Sequence, residues 1–117
     1  MNRIKPVIAA LLLFSAGCSK GPDADLQYIS QARSIAAEWA LINELDGQGR
    51  LNRTYVDSMH HWFAKGLGGA QSSLRRPDTD YGAEIRALAA EPPATSAAVL
   101  RARAMRLKRI EDELESA

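Results

Sequence analysis

Four stretches of this chain carry apolar residues at three- and four-residue spacing, and no stretch alternates apolar with polar residues. That pattern predicts helices and no strands. The first stretch, Pro22 to Asp46, places Leu26, Ile29, Ala32, Ile35, Ala36, Trp39, Ile42 and Leu45 on one stripe. Pro22 suits a first helical turn, with Asp23 and Asp25 complementing the positive end of the helix dipole. Asp46-Gly47-Gln48-Gly49 stops the helix, because glycine readily takes the left-handed conformation past a helix end.

The second stretch, Arg53 to Arg75, carries Val56, Met59, Phe63, Leu67, Ala70 and Leu74, with Tyr55 and Trp62 flanking. Asn52 is the expected N-cap, with Leu51 and Val56 forming a staple; Thr54 with Asp57 is an alternative capping box. Gly66, Gly68 and Gly69 each cost about 1 kcal/mol relative to alanine in a helix, so a kink or local break is expected, or else close helix packing. A third, short helix covers Asp80 to Ala90, opened by Asp78 or Thr79 and ended by Glu91-Pro92-Pro93. The fourth starts after Thr95 or Ser96, runs to about Glu115, and carries Leu100, Ala104, Leu107, Ile110 and Leu114. Short connections favour antiparallel neighbours. The expected fold is a small all-α antiparallel bundle of three to four helices over residues 22–117.

Little in the composition points to catalysis. The only histidines, His60 and His61, are adjacent and point about 100° apart on a helix, so they do not share a metal easily. Asp57-Ser58-Met59-His60 has carboxylate-x-x-His spacing, but the second such pair of a di-metal bundle is missing. Gly66-Leu67-Gly68-Gly69 lacks the lysine and strand context of a phosphate loop. Ser30, Ser34, Ser72 and Ser73 lie in helical stretches without a strained nucleophile turn. The acids Glu111, Asp112, Glu113 and Glu115 read as a solvated terminal cluster. No catalytic residue, cofactor or metal is expected. Trp39 and Trp62 both sit beside apolar stripes and are expected to face each other across the first two helices.

The fourth helix is the most unusual stretch. Arg101, Arg103, Arg106, Lys108 and Arg109 place five cations within nine residues, followed by four acids. Pairs at i,i+4, Lys108 with Asp112 and Arg109 with Glu113, would hold these charges on a solvated face. The same cations could form an interaction surface for an anionic partner or lipid headgroup. Overall the chain is nearly neutral, with 15 Lys+Arg against 14 Asp+Glu. Binding to nucleic acid by bulk electrostatics is thereby disfavoured.

The N-terminus carries an address. Arg3 and Lys5 precede an uncharged run, Pro6 to Gly17, that would span only about 18 Å of a hydrocarbon core ~30 Å thick. This is the layout of a secretory signal peptide. Its end, Phe14-Ser15-Ala16-Gly17-Cys18, resembles the lipobox of bacterial lipoproteins, with Ser15 where that class most often has Leu. The resemblance implies removal of residues 1–17 and acylation of Cys18. It also implies a tether over 18–21 and, with Ser19 rather than Asp after the cysteine, the outer membrane facing the periplasm. Two or more acyl chains hold a protein firmly on a bilayer, where one gives only marginal binding. Only Ser19, Lys20 and Gly21 separate Cys18 from the first helix, a reach of about 10–14 Å. The bundle should therefore sit close to the headgroups. The expected role is a non-enzymatic adaptor or accessory module that meets an envelope protein. The alternatives are a carrier or accessory enzyme with an apolar pocket mouthed at Gly66–Gly69, and a structural or immunity-type lipoprotein.

Overall fold

In a computed structural model of the chain, residues 22–117 are described; the expected leader at 1–17, the expected acylation at Cys18 and the expected tether at 18–21 lie outside them. A 3-10 turn, Pro22–Asp25, runs straight into α1, Leu26–Gly47. It is followed by α2, Arg53–Ser73; α3, Asp80–Ala89; and α4, Ala97–Ser116. Among the described residues there is no strand. The fold is a small helical bundle, as the apolar spacing predicts.

The helix starts follow from short polar side chains. Asn52 accepts from the Tyr55 N–H at 2.8 Å, Thr79 from Gly82 at 3.2 Å and Ser96 from Val99 at 3.3 Å. Each satisfies an N–H that has no partner inside its helix. At the other end of α1, Gly49 takes φ 68° and Arg50 N–H reaches back to the Leu45 carbonyl at 3.0 Å.

Helix α1 is the axis of the bundle, with α2 and α4 each lying along it without approaching one another. Both run antiparallel to α1. Arg33 meets Glu111 while Glu44 meets Arg101, and Ile35 lies against Gly66 while Asn43 meets His60. The α1 alanines Ala32, Ala36 and Ala40 are fully buried at four-residue spacing, which lets neighbouring helices come close. Around them Ile29, Leu67, Ile85, Leu88, Leu100 and Leu107 are wholly enclosed. Each such side chain contributes roughly 1.5–3 kcal/mol by leaving water.

Asp25 differs from its expected role. It makes no side-chain cap to α1; its carboxylate reaches across the fold instead. Oδ1 accepts from Arg75 N–H at 2.8 Å, while Oδ2 accepts from Arg76 N–H at 3.0 Å and from the Tyr81 hydroxyl at 2.6 Å. The residue is 1% exposed. This also explains why α2 ends at Ser73 and not at Arg75. Leu74 turns extended at ψ 133°, freeing the next two N–H groups for Asp25, and Pro77 disfavours helix at Arg76. Burial pushes the Asp25 carboxyl up, but the bonds from Arg75, Tyr81 and Arg76 outweigh it and leave the group below the ordinary 3.8. Burial, with the bond to Asp25, holds the Tyr81 phenol above its ordinary 10.0.

The expected break at Gly66–Gly69 is absent, and α2 continues through it as helix. Gly66 alone has a packing reason, since a Cβ there would meet Ile35 Cδ1 at 2.8 Å. Gly68 and Gly69 would meet nothing within 4 Å. The tightest glycine is Gly82, which sequence reasoning missed: a Cβ there would collide with the Pro77 carbonyl. The α2–α3 connection held by Asp25 therefore folds directly over the first turn of α3.

Two predictions come from this geometry. Replacing Asp25 with Asn should cost about 2–3 kcal/mol near neutral pH, the scale of charge-assisted buried hydrogen bonds. A carboxyl whose folded-state pKa lies below its unfolded value stabilises above the unfolded value and ceases to do so as pH falls through the folded one. The gap between wild type and Asp25→Asn in urea should thus be constant at neutral pH and shrink below about pH 4. In the same assay Gly68→Ala should stabilise by about 1 kcal/mol, whereas Gly82→Ala should destabilise clearly because backbone must move.

Candidate functional site

The end of the bundle away from Asp25 is closed by a cluster of aromatic and polar side chains. Trp39 and Asn43 come from α1, His60 and Phe63 from α2, and Pro93 and Thr95 from the α3–α4 connection. Trp39 stacks on Phe63 with centroids 6.1 Å apart and planes at 24°, and His60 tilts against both rings. Trp39 Nε1 donates to the Pro93 carbonyl at 2.9 Å. Asn43 Nδ2 donates to the same carbonyl at 2.9 Å and to that of Thr95 at 2.7 Å.

These bonds fix an imidazole. Because the Asn43 amide nitrogen serves two carbonyls, its Oδ1 is the atom facing His60 Nε2 at 2.7 Å. An amide oxygen only accepts, so the network assigns the proton to Nε2 and leaves Nδ1 as acceptor in the neutral ring. His60 is half-buried and His61 exposed.

Beside His60 lies a hollow of about 430 Å³, bordered by Asn43, Asp46, Arg53, Asp57 and Pro93. Arg53 spans its two acids, 3.1 Å from Asp46 and 3.6 Å from Asp57. The bond to Asp46 holds the guanidinium above its ordinary value. No serine, threonine or cysteine lines this hollow. Beside a fixed imidazole it offers two carboxylates and a guanidinium for hydrogen bonding, and no hydroxyl or thiol is among its lining residues.

A second hollow, about 270 Å³, lies beside the Asp25 hub, between Arg76, Thr79 and Tyr81 on one side and Ile110, Glu113 and Leu114 on the other. Neither hollow is lined by Trp39, Trp62 or Phe63, and neither opens at Gly66–Gly69.

The run of cations on α4 is largely engaged within the molecule. Arg101 meets Glu44 of α1 at 2.7 Å. Arg103 bridges Glu84 at 3.0 Å and Glu91 at 2.7 Å, and Arg106 also reaches Glu84 at 3.4 Å. The bond to Glu91, reinforced by Glu84, lifts the Arg103 guanidinium above its ordinary value despite burial. Lys108 pairs with Asp112 at 2.8 Å, as i,i+4 spacing predicts. Arg109 makes no ion pair among the described residues, and the Arg109–Glu113 pair does not form.

Two expectations need correction. Glu111 is not part of a solvated cluster: it is 6% exposed and accepts from Arg33 Nε at 3.0 Å, tying α4 to α1. Trp62 does not face Trp39. It is 64% exposed on the outer side of α2, with Lys65 Nζ 5.9 Å from its ring. At helical spacing Phe63, one residue on, points inward and takes the place against Trp39.

Comparison with protein-family models, curated proteins and solved structures finds no match to this chain.

The two indoles should behave differently in solution. Iodide should quench one component of the native emission and spare the other. Trp62→Phe should leave a blue-shifted spectrum that iodide barely affects; comparable quenching before and after this substitution would contradict the assignment.

Proposed function

We propose that this chain is a bacterial lipoprotein, acylated at Cys18 and held on the periplasmic face of the outer membrane, where it works as a non-enzymatic adaptor. The observation carrying this reading is the sequence Phe14-Ser15-Ala16-Gly17-Cys18, three residues short of the first helical turn at Pro22. No helix of the described residues is long and apolar enough to cross a membrane. Acyl chains supply attachment without such a helix.

The adaptor role is supported by where the chain places its polar groups. His60 is held by Asn43, and the acids beside it, Asp46 and Asp57, are engaged by Arg53. Most of the basic run is used to clamp α4 onto α1 and α3. Among the groups α4 offers outward are Arg109 and the apolar Val99 and Met105, 43% and 67% exposed, with the acids Glu113 and Glu115 toward its end. An envelope protein with an apolar surface that sets a single acid against Arg109 would fit this side of the bundle.

Mass spectrometry of the native protein, with metabolic labelling by a fatty-acid analogue, tests the anchor. The expected result is a chain that starts at Cys18, carries the mass of its acyl groups and loses the label in Cys18→Ser. A free thiol at Cys18 or a retained leader would overturn the reading.

A further inference from the structure

We infer that the outer face of α2 docks on an anionic phospholipid surface, so that the bundle lies against the bilayer along α2 instead of standing on its tethered end. This rests on the anchor reading above for the nearness of a membrane.

Charge is the first observation. From Ser58 through Pro77 the chain contains no acidic residue, although it has 14 elsewhere. The same stretch carries Lys65, Arg75 and Arg76, all exposed and free of ion pairs among the described residues, together with the exposed His61. Every cation of α4 except Arg109 is neutralised by a partner within the fold. Of the six cations without an ion pair among the described residues, Lys65, Arg75 and Arg76 thus lie along α2 and just past its C-terminal end, while Arg50, Arg86 and Arg109 are scattered over the rest of the fold. Each lysine or arginine close to an anionic bilayer contributes about fivefold in binding.

The second observation is the pair of aromatics. Tyr55 and Trp62 stand seven residues apart, on one side of α2, and are 45% and 64% exposed. An amphipathic indole or phenol beside a lysine is the combination favoured where headgroups meet acyl chains.

The third is where the tether begins. Helices α1 and α2 are antiparallel, so the start of α1 lies at the end of α2 that carries Arg75 and Arg76. Asp25 binds the two together there. From that point Ser19–Gly21 reach about 10–14 Å, comparable to one helix diameter. An anchor at Cys18 can thus enter the bilayer beside α2 while Trp62, opposite the middle of α1, touches the same surface. Acyl chains and a basic, aromatic helix face are two signals acting together.

The test uses the native acylated protein reconstituted in vesicles of phosphatidylcholine, with and without phosphatidylglycerol, containing a lipid with brominated tails. With phosphatidylglycerol, the brominated lipid should quench the emission about twofold and iodide should lose its effect. In Trp62→Phe neither change should occur, because Trp39 is enclosed. Lys65→Glu, at an exposed position that leaves the fold intact, should restore iodide access. Should the acylated protein float with the vesicles while Trp62 remains open to iodide and untouched by bromine, the docking is wrong and the anchor stands. Shielding of Trp62 before any vesicle is added would mean that protein, not lipid, covers this face, and would overturn the proposal. If the purified protein carries no acyl mass, the anchor reading falls and the docking falls with it.

Discussion

A single buried carboxylate joins three parts of this bundle that lie far apart in sequence. Asp25 sits at the entrance to α1, yet its two oxygens satisfy the backbone of Arg75 and Arg76 and the hydroxyl of Tyr81. Those donors belong to the stretch where α2 has ended and α3 has not begun, and two N–H groups left unpaired there would carry a desolvation penalty. The acid is costly to bury by itself and the loop is costly to bury without it. Together they close one end of the fold. Ion pairs between Arg33 and Glu111, and from Arg103 to Glu84 and Glu91, act the same way farther along, each drawing α4 to a neighbour.

This arrangement gives the molecule two dissimilar sides. One consists of α4, where most cations are paired with acids and Val99, Met105 and Arg109 project, with the acids Glu113 and Glu115 toward its end. The other is α2, which carries no acid after Asp57 and where aromatic rings stand in water. With α1 between them, the two helices look in different directions. An anchored adaptor needs this asymmetry: one surface for the membrane and another for a partner. The proposed attachment at Cys18 precedes Pro22 by three residues, close in sequence to the Asp25 junction.

Much of the fold was legible in the sequence because it depends on local rules. Asn52, Thr79 and Ser96 cap their helices as short acceptors do, and three-four spacing located every stripe that forms the core. What the sequence hid depends on contacts between distant residues. Asp25 looked like a dipole partner because its true donors are some fifty positions away. Glu111 looked solvated because Arg33 is seventy-eight positions off. Gly66–Gly69 looked like a break because helix propensity counts the cost of glycine and not the support of neighbours such as Ile35. For Trp39 and Trp62 a one-residue difference decided the matter: Phe63, on the inward face, fills the space assigned to Trp62. Of the functional reading, the resemblance to a lipobox rests on the sequence alone, and there the basic run was conspicuous. The acid-free stretch along α2 became meaningful only once the partners of the α4 cations were known.

The role of Asp25 is open to direct observation by NMR titration of its side-chain carboxyl carbon together with the amide protons of Arg75 and Arg76. The account predicts a midpoint below the ordinary 3.8, with both amides shifting in step with the carboxyl and exchanging slowly with solvent above it. A midpoint at or above the ordinary value, or amides that exchange freely and ignore the titration, would contradict it.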